Sequence, residues 1–107
     1  MSFRWPNKDP DESLDYSIDW SRFLDTATIS SVRWFVNNAE GVKTEIAATE
    51  VVNGIQNVAQ TISSNGQVAT INLSLGTNNI EYTFFCQITD STGSVAERSI
   101  KIKVRQK

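Results

Sequence analysis

Polar and apolar residues alternate along most of this chain, and the alternation predicts strands rather than helices. Leu14, Tyr16, Ile18 and Trp20 share one side of a segment whose other side is Ser13, Asp15, Ser17, Asp19 and Ser21. Val32, Trp34 and Val36 stand opposite Arg33 in the next such segment. Ala69, Ile71, Leu73 and Leu75 alternate with Val68, Thr70, Asn72 and Ser74. Ile80, Tyr82, Phe84, Cys86 and Ile88 alternate with Glu81, Thr83, Phe85, Gln87 and Thr89. Last, Arg98, Ile100, Ile102 and Val104 alternate with Ser99, Lys101, Lys103 and Arg105. Successive side chains of a strand point to opposite faces. Five segments with one apolar face each therefore predict antiparallel sheets packed face to face.

Turn chemistry separates these segments at Ser64-Asn65-Gly66, at Gly76 to Asn79 and at Asp90 to Gly93. The stretch 37–61 is open to two readings: two short strands near 42–47 and 57–63, or a brief helical turn before Asn53-Gly54. Counting both strands gives about seven, the number in an immunoglobulin-like antiparallel β-sandwich of about 100 residues. The strand around Cys86 fits the penultimate strand of such a sandwich, with an aromatic two residues before an inward Cys and a D-x-x-G turn after it. Phe84 then occupies the tyrosine-corner position without a hydroxyl, and Trp34 is the candidate inter-sheet tryptophan. Pro6 and Pro10 keep the start of the chain extended, so residues 1–12 are expected to form an N-terminal arm and residues 13–107 the sandwich.

Composition narrows the function. The 107 residues suit one domain, and 39% hydrophobic with 21% charged residues is the balance of a globular chain. Ten basic against twelve acidic residues give a net charge of −2, which does not favour nucleic-acid binding. No apolar run approaches the roughly 20 residues of a membrane span. The opening Met1 to Lys8 lacks the apolar core of a signal peptide, so folding without export is expected.

Histidine is absent, which removes Ser-His-Asp and Cys-His nucleophiles and leaves too few thiolate or imidazole ligands for zinc. Cys86 is the single cysteine; it cannot form an internal disulfide and reads as a small buried hydrophobe. No phosphate-binding glycine loop is present. Carboxylates remain. Asp15 and Asp19 share a strand face four residues apart, about 13 Å at the rise of a strand, too far to share a proton or a metal. Asp9, Asp11 and Glu12 are close enough to hold a hard cation, but D-P-D-E lacks the spacing and glycine of a calcium loop. The expectation is no enzyme, no catalytic or metal-binding residues and no cofactor.

The charges are segregated instead. Six of the twelve acids fall within the first 25 positions, and five of the ten bases within the last ten. This predicts a first strand beside the last, with Asp15 and Asp19 facing Lys101, Lys103 or Arg105 across the sheet. The rival reading is electrostatic docking to a partner. Phe3, Arg4 and Trp5 precede any strand; they either fold back over the sandwich or anchor in a neighbouring subunit, and they are the candidate partner-binding residues.

Together, "FRWPNKDPDESLDYSIDWSRFL" (3–24), the Trp34 strand and "IEYTFFCQITDSTGSVAERSIKIKVR" (80–105) resemble a family of small tailed-bacteriophage virion proteins, the fiber–tail adaptor or head–tail region proteins. The motif W-P-x-K-D-P-D-E-x-L-D-Y-x-I-D-W has thirteen fixed positions, hard to meet by chance. The resemblance covers both ends; residues 37–66 depart from it, being longer and richer in Ala and Asn. It implies a non-enzymatic structural protein of the virion, made in the cytoplasm of the bacterial host. Its partners would be other neck, tail, fiber or capsid proteins, and it would form a homo-oligomer in the particle, with no nucleic acid or membrane. It names no catalytic residues. A capsid decoration protein, or an adhesion module binding glycan or cell surface, is the alternative.

Overall fold

The computed structural model describes residues 3–106, and of Phe3 only the backbone. The elements are β1 (Phe3–Arg4), β2 (Leu14–Asp19), a one-turn helix α1 (Ser21–Leu24), β3 (Ile29–Asn37), β4 (Lys43–Glu45), β5 (Val51–Val52), β6 (Ile55–Ile62), β7 (Val68–Leu75), β8 (Glu81–Asp90) and β9 (Val95–Lys103). They form two sheets, β1-β9-β8-β3-β4 and β2-β7-β6-β5, packed as a sandwich. All five segments predicted from alternation are strands. The ambiguous middle is also strand: Asn53 and Gly54, with φ of 50° and 82°, make the two-residue turn that joins β5 to β6. A Cβ on Gly54 would stand 2.6 Å from Thr77 Oγ1, so only glycine fits there.

The first long strand does not run beside the last. β2 pairs antiparallel with β7, placing Asp15 opposite Asn72 and Asp19 opposite Val68. The apolar register decides this: Leu14, Tyr16 and Ile18 stand opposite Leu73, Ile71 and Ala69 on the inner face. Fully burying a leucine or isoleucine such as Ile18, Ile71 or Leu73 is worth about 1.5–3 kcal/mol. Exposed ion pairs with β9 would have offered about 0.2–1 kcal/mol each.

β9 is flanked by β8 and by the N-terminal segment. β1 lies parallel to it, Phe3 opposite Ile100 and Arg4 opposite Lys101. The Trp5 amide donates to Lys101 O at 2.8 Å, Pro6 has no N–H to give, and the ladder resumes where Lys8 N donates to Lys103 O at 3.0 Å. Much of the expected arm is thus laid along the sandwich. Trp5 inserts between the sheets, its ring 4.9 Å from that of Tyr16 and 6.1 Å from those of Trp34 and Phe84.

Trp34 stands opposite Cys86 in register, both fully enclosed. The tyrosine corner is present after all, moved by two residues. Tyr82, not Phe84, starts β8 with a buried hydroxyl that donates to Asn53 O at 2.7 Å and accepts from Thr77 N at 2.9 Å. This ties the β5–β6 turn to the β7–β8 corner.

Candidate interaction surface

The outer face of the five-stranded sheet is built by the residues that alternate with the core. Its centre is Phe35 on β3 directly opposite Phe85 on β8, both half-buried. Lys43 Nζ from β4 lies 4.6 Å from the centre of the Phe35 ring and 5.1 Å from that of Phe85, and the Arg33 guanidinium lies 5.1 Å from Phe35. Two ion pairs frame the rings. Arg33 binds Glu45 through Nε at 3.1 Å and Nη2 at 2.9 Å, and Lys43 Nζ meets Glu97 at 2.5 Å. The Arg33 hydrogen bond holds the Glu45 carboxyl below the usual carboxylate range. Further along, Arg4 pairs with Glu81, while Lys101 and Lys103 make no ion pair among the described residues. Five cations (Arg4, Arg33, Lys43, Lys101, Lys103) against three carboxylates (Glu45, Glu81, Glu97) leave this face at +2 on a chain of −2. An aromatic centre within a ring of charge is the composition of a protein-binding hot spot.

The outer face of the four-stranded sheet differs. Its outward positions are Asp15, Ser17 and Asp19 on β2, Thr70, Asn72 and Ser74 on β7, Gln56, Ala59 and Thr61 on β6, and the exposed valines Val51 on β5 and Val58 at the β6 bulge. Polar groups bond across the strands: the Ser17 and Thr70 hydroxyls are 2.7 Å apart, and Asn72 Nδ2 donates to Asp15 Oδ1 at 2.8 Å. Asp19 accepts the Ser21 amide at 2.9 Å, and that bond holds its carboxyl below the usual range. Two carboxylates and no cation stand on this face among the described residues.

The residues named from sequence as partner-binding are divided by the fold. Trp5 is 9% exposed and belongs to the chain's own core. Arg4 is exposed on the edge strand. The Phe3 side chain lies outside the described residues. Beside them a shallow groove of about 260 Å³ opens between the edges of the two sheets, lined by Arg4, Trp5, Ile18, Asp19, Arg98 and Ile100. That is below the roughly 300–1,000 Å³ of small-molecule sites. Arg98 is occupied there, its guanidinium 4.4 Å from the centre of the Trp20 ring and donating to Asp19 O at 3.3 Å.

The acidic stretch has a structural explanation. Asp9-Pro10-Asp11-Glu12 is a tight turn with proline at its second position, closed by Glu12 N to Asp9 O at 3.0 Å. Carboxylate oxygens serve its backbone: Glu12 Oε1 accepts Asp9 N at 2.9 Å and Asp9 Oδ1 accepts Asp11 N at 2.8 Å. Lys8 supplies the cation. Its side chain is wholly buried, and Nζ donates to Asp9 O at 2.8 Å and to Leu75 O at 2.6 Å. Burial lowers its pKa, against the pull of Glu12, Asp9 and Asp11. Leu75 has a φ of 63°, a conformation that leucine seldom adopts and that the lysine contact helps to hold. Among the described residues no three His, Cys, Asp or Glu side chains are grouped to share a metal ion. Burial pushes the Cys86 thiol up to about 12, so it stays protonated at neutral pH.

Sequence reasoning passed over Phe35, Phe85, Lys43 and Lys8. A signal for the first two existed in the pairs Trp34-Phe35 and Phe84-Phe85. Adjacent residues of a strand face opposite ways, so one ring of each pair has to point outward.

Two sheets, a tyrosine corner and a Trp–Cys core pair define an immunoglobulin-like sandwich. In agreement, the chain superposes on a chicken T-cell receptor crystal structure with a TM-score of 0.70 over 99% of its own length, at 9% identity. It spans 54% of that receptor chain, and at this identity the likeness concerns the fold alone. No curated protein matches the sequence. The family model of the podophage GP4 fiber-tail adaptor protein gp77 matches residues 8–103. The chain belongs to that family, which is one of phage structural adaptors.

Proposed function

We propose that this protein is a non-enzymatic adaptor of the podophage virion, present there in several copies and joining tail and fiber proteins by protein–protein contact. The half-buried Phe35–Phe85 pair under Lys43 and Arg33 carries this reading. Packing the core does not require either ring to stand on the outer face. Phe3, Arg4 and Trp5 form a second contact region at the edge of the same sheet, where Trp5 positions the strand from the core and Arg4 meets the partner. Family membership supports the virion setting.

The test is reconstitution with purified tail and fiber proteins of the same phage. The native chain should form a stable complex with at least one of them, and Phe35→Ser/Phe85→Ser should lose it while keeping its melting temperature. A complex unaffected by this pair, and lost on Arg4→Ser, would move the contact to the edge strand. Binding to neither protein would contradict the adaptor role.

A further inference from the structure

The two outer faces of the sandwich are complementary to each other. One carries +2 with an aromatic centre and two lysines, Lys101 and Lys103, that make no ion pair among the described residues. The other carries the carboxylates of Asp15 and Asp19 on its edge strand, Asp19 within the field of Arg98, beside a patch of Thr61, Thr70 and Ala59. We propose that copies of this chain associate head to tail, the Phe35–Phe85 face of one copy lying on the Asp15–Thr70 face of the next. The inference rests on the adaptor reading, which supplies the multi-copy setting, and adds which two surfaces meet.

Three features favour this occupant. Symmetric pairing would set like charge against like, cation face on cation face or carboxylate face on carboxylate face; head-to-tail pairing is the arrangement that sets them opposite. The acceptor face is also inexpensive to dehydrate, because its Ser17, Thr70, Asn72 and Asp15 side chains already hydrogen-bond to one another. Its threonine methyls and Ala59 offer the phenyl rings an apolar landing between those polar groups. Size suffices: the molecule measures 40 × 28 × 25 Å, so a broad face has room for the roughly 800 Å² per partner of a standard interface. Because the two surfaces differ, the contact is heterologous, and it closes into a ring when the rotation per copy divides the circle.

Sedimentation of the chain alone, with no tail or fiber protein present, tests this apart from the adaptor reading. Wild type should associate with rising concentration at about 0.05 M salt and dissociate near 1 M, where the Debye length falls to about 3 Å. Phe35→Ser/Phe85→Ser removes the donor face, and Asp15→Lys/Thr61→Lys reverses the acceptor face. Each variant should weaken association at least about tenfold, or 1.4 kcal/mol. An equimolar mixture of the two should regain a heterodimer and stop there, since each molecule keeps one intact face. Lys101→Glu/Lys103→Glu replaces the phenylalanine variant if that one melts early, and should complement in the same way. A wild-type chain that stays monomeric at about 1 mM in low salt would overturn the proposal. So would oligomers that neither variant disturbs, or two defective variants that fail to complement; reconstitution with tail and fiber proteins could still succeed in each case.

Discussion

Above the five-stranded sheet a lysine ammonium lies over two phenyl rings, whereas β2 and β7 of the four-stranded sheet are bridged by cross-strand hydrogen bonds, Ser17 to Thr70 and Asn72 to Asp15. Both faces come from the same alternation, and both cover the same core. On the second face Ser17 bonds Thr70 and Asn72 bonds Asp15 across the strands, and the exposed apolar side chains are the aliphatic Val51 and Val58. On the first, two aromatic rings are left partly in water and two lysines have no carboxylate partner among the described residues. Folding requires neither. Aromatic rings under cations, rather than scattered aliphatic side chains, are the composition of a contact surface.

The comparison sharpens when the inside is separated from the outside of the cationic face. The largest effect is expected at Trp5, which sequence reasoning placed among the contact residues and the fold places in the core. Trp5→Ala should destabilise by about 3–5 kcal/mol in chemical denaturation, opening a cavity beside Tyr16, Trp34 and Phe84. A change below about 1 kcal/mol would return Trp5 to the surface and break the division. Lys8→Met comes next. It removes the lysine donor from the Leu75 carbonyl, leaves the Asp9 carbonyl with the Glu12 amide alone, and takes the cation from the acidic turn. A loss of about 2–4 kcal/mol is expected, most of it from stranded buried polar groups.

A smaller, pH-dependent effect separates buried from surface titration. Burial raises the Tyr16 hydroxyl from 10 to about 12, helped by Glu12, and the Cys86 thiol from 9 to about 12. In each case the unfolded chain releases its proton first. Their contribution is complete below pH 9 and is lost as pH climbs through 12. Lys8, with a lowered pKa, pulls the other way, its effect lying below the ordinary lysine value. Melting temperatures at pH 8 and about pH 10.5 should therefore fall less in Tyr16→Phe than in wild type; an equal fall would show that Tyr16 is not sealed in the core. The smallest effect on stability, within about 1 kcal/mol, is expected for Phe35→Ser/Phe85→Ser, measured by the same melts.

Much of the fold was legible because alternation is a local signal. Tyr16, Ile18, Ile71, Phe84 and Ile100 declare their faces within four or five residues of chain, and Asn53-Gly54 announces its turn. Pairing was not legible in the same way. Charge segregation suggested β2 beside β9, but the apolar register with Ala69, Ile71 and Leu73 outweighed it, and the N-terminal segment took that place. Lys8 was hidden more deeply. Within N-K-D-P-D-E it reads as a solvated lysine, and its burial depends on the Leu75 carbonyl, 67 residues away in sequence. Of the contact face, the outward turn of Phe35 and Phe85 could be read from paired aromatics. Lys43 could not, because its position over the rings follows from a three-residue edge strand in the stretch with the weakest pattern.

The most direct test of the central claim is a cryo-EM map of the virion's fiber–tail region, resolved well enough to place side chains. The account predicts neighbouring protein packed over both Phe35 and Phe85, with carboxylates near Lys101 and Lys103. Open solvent above both rings, with every neighbour seated elsewhere on the molecule, would contradict it.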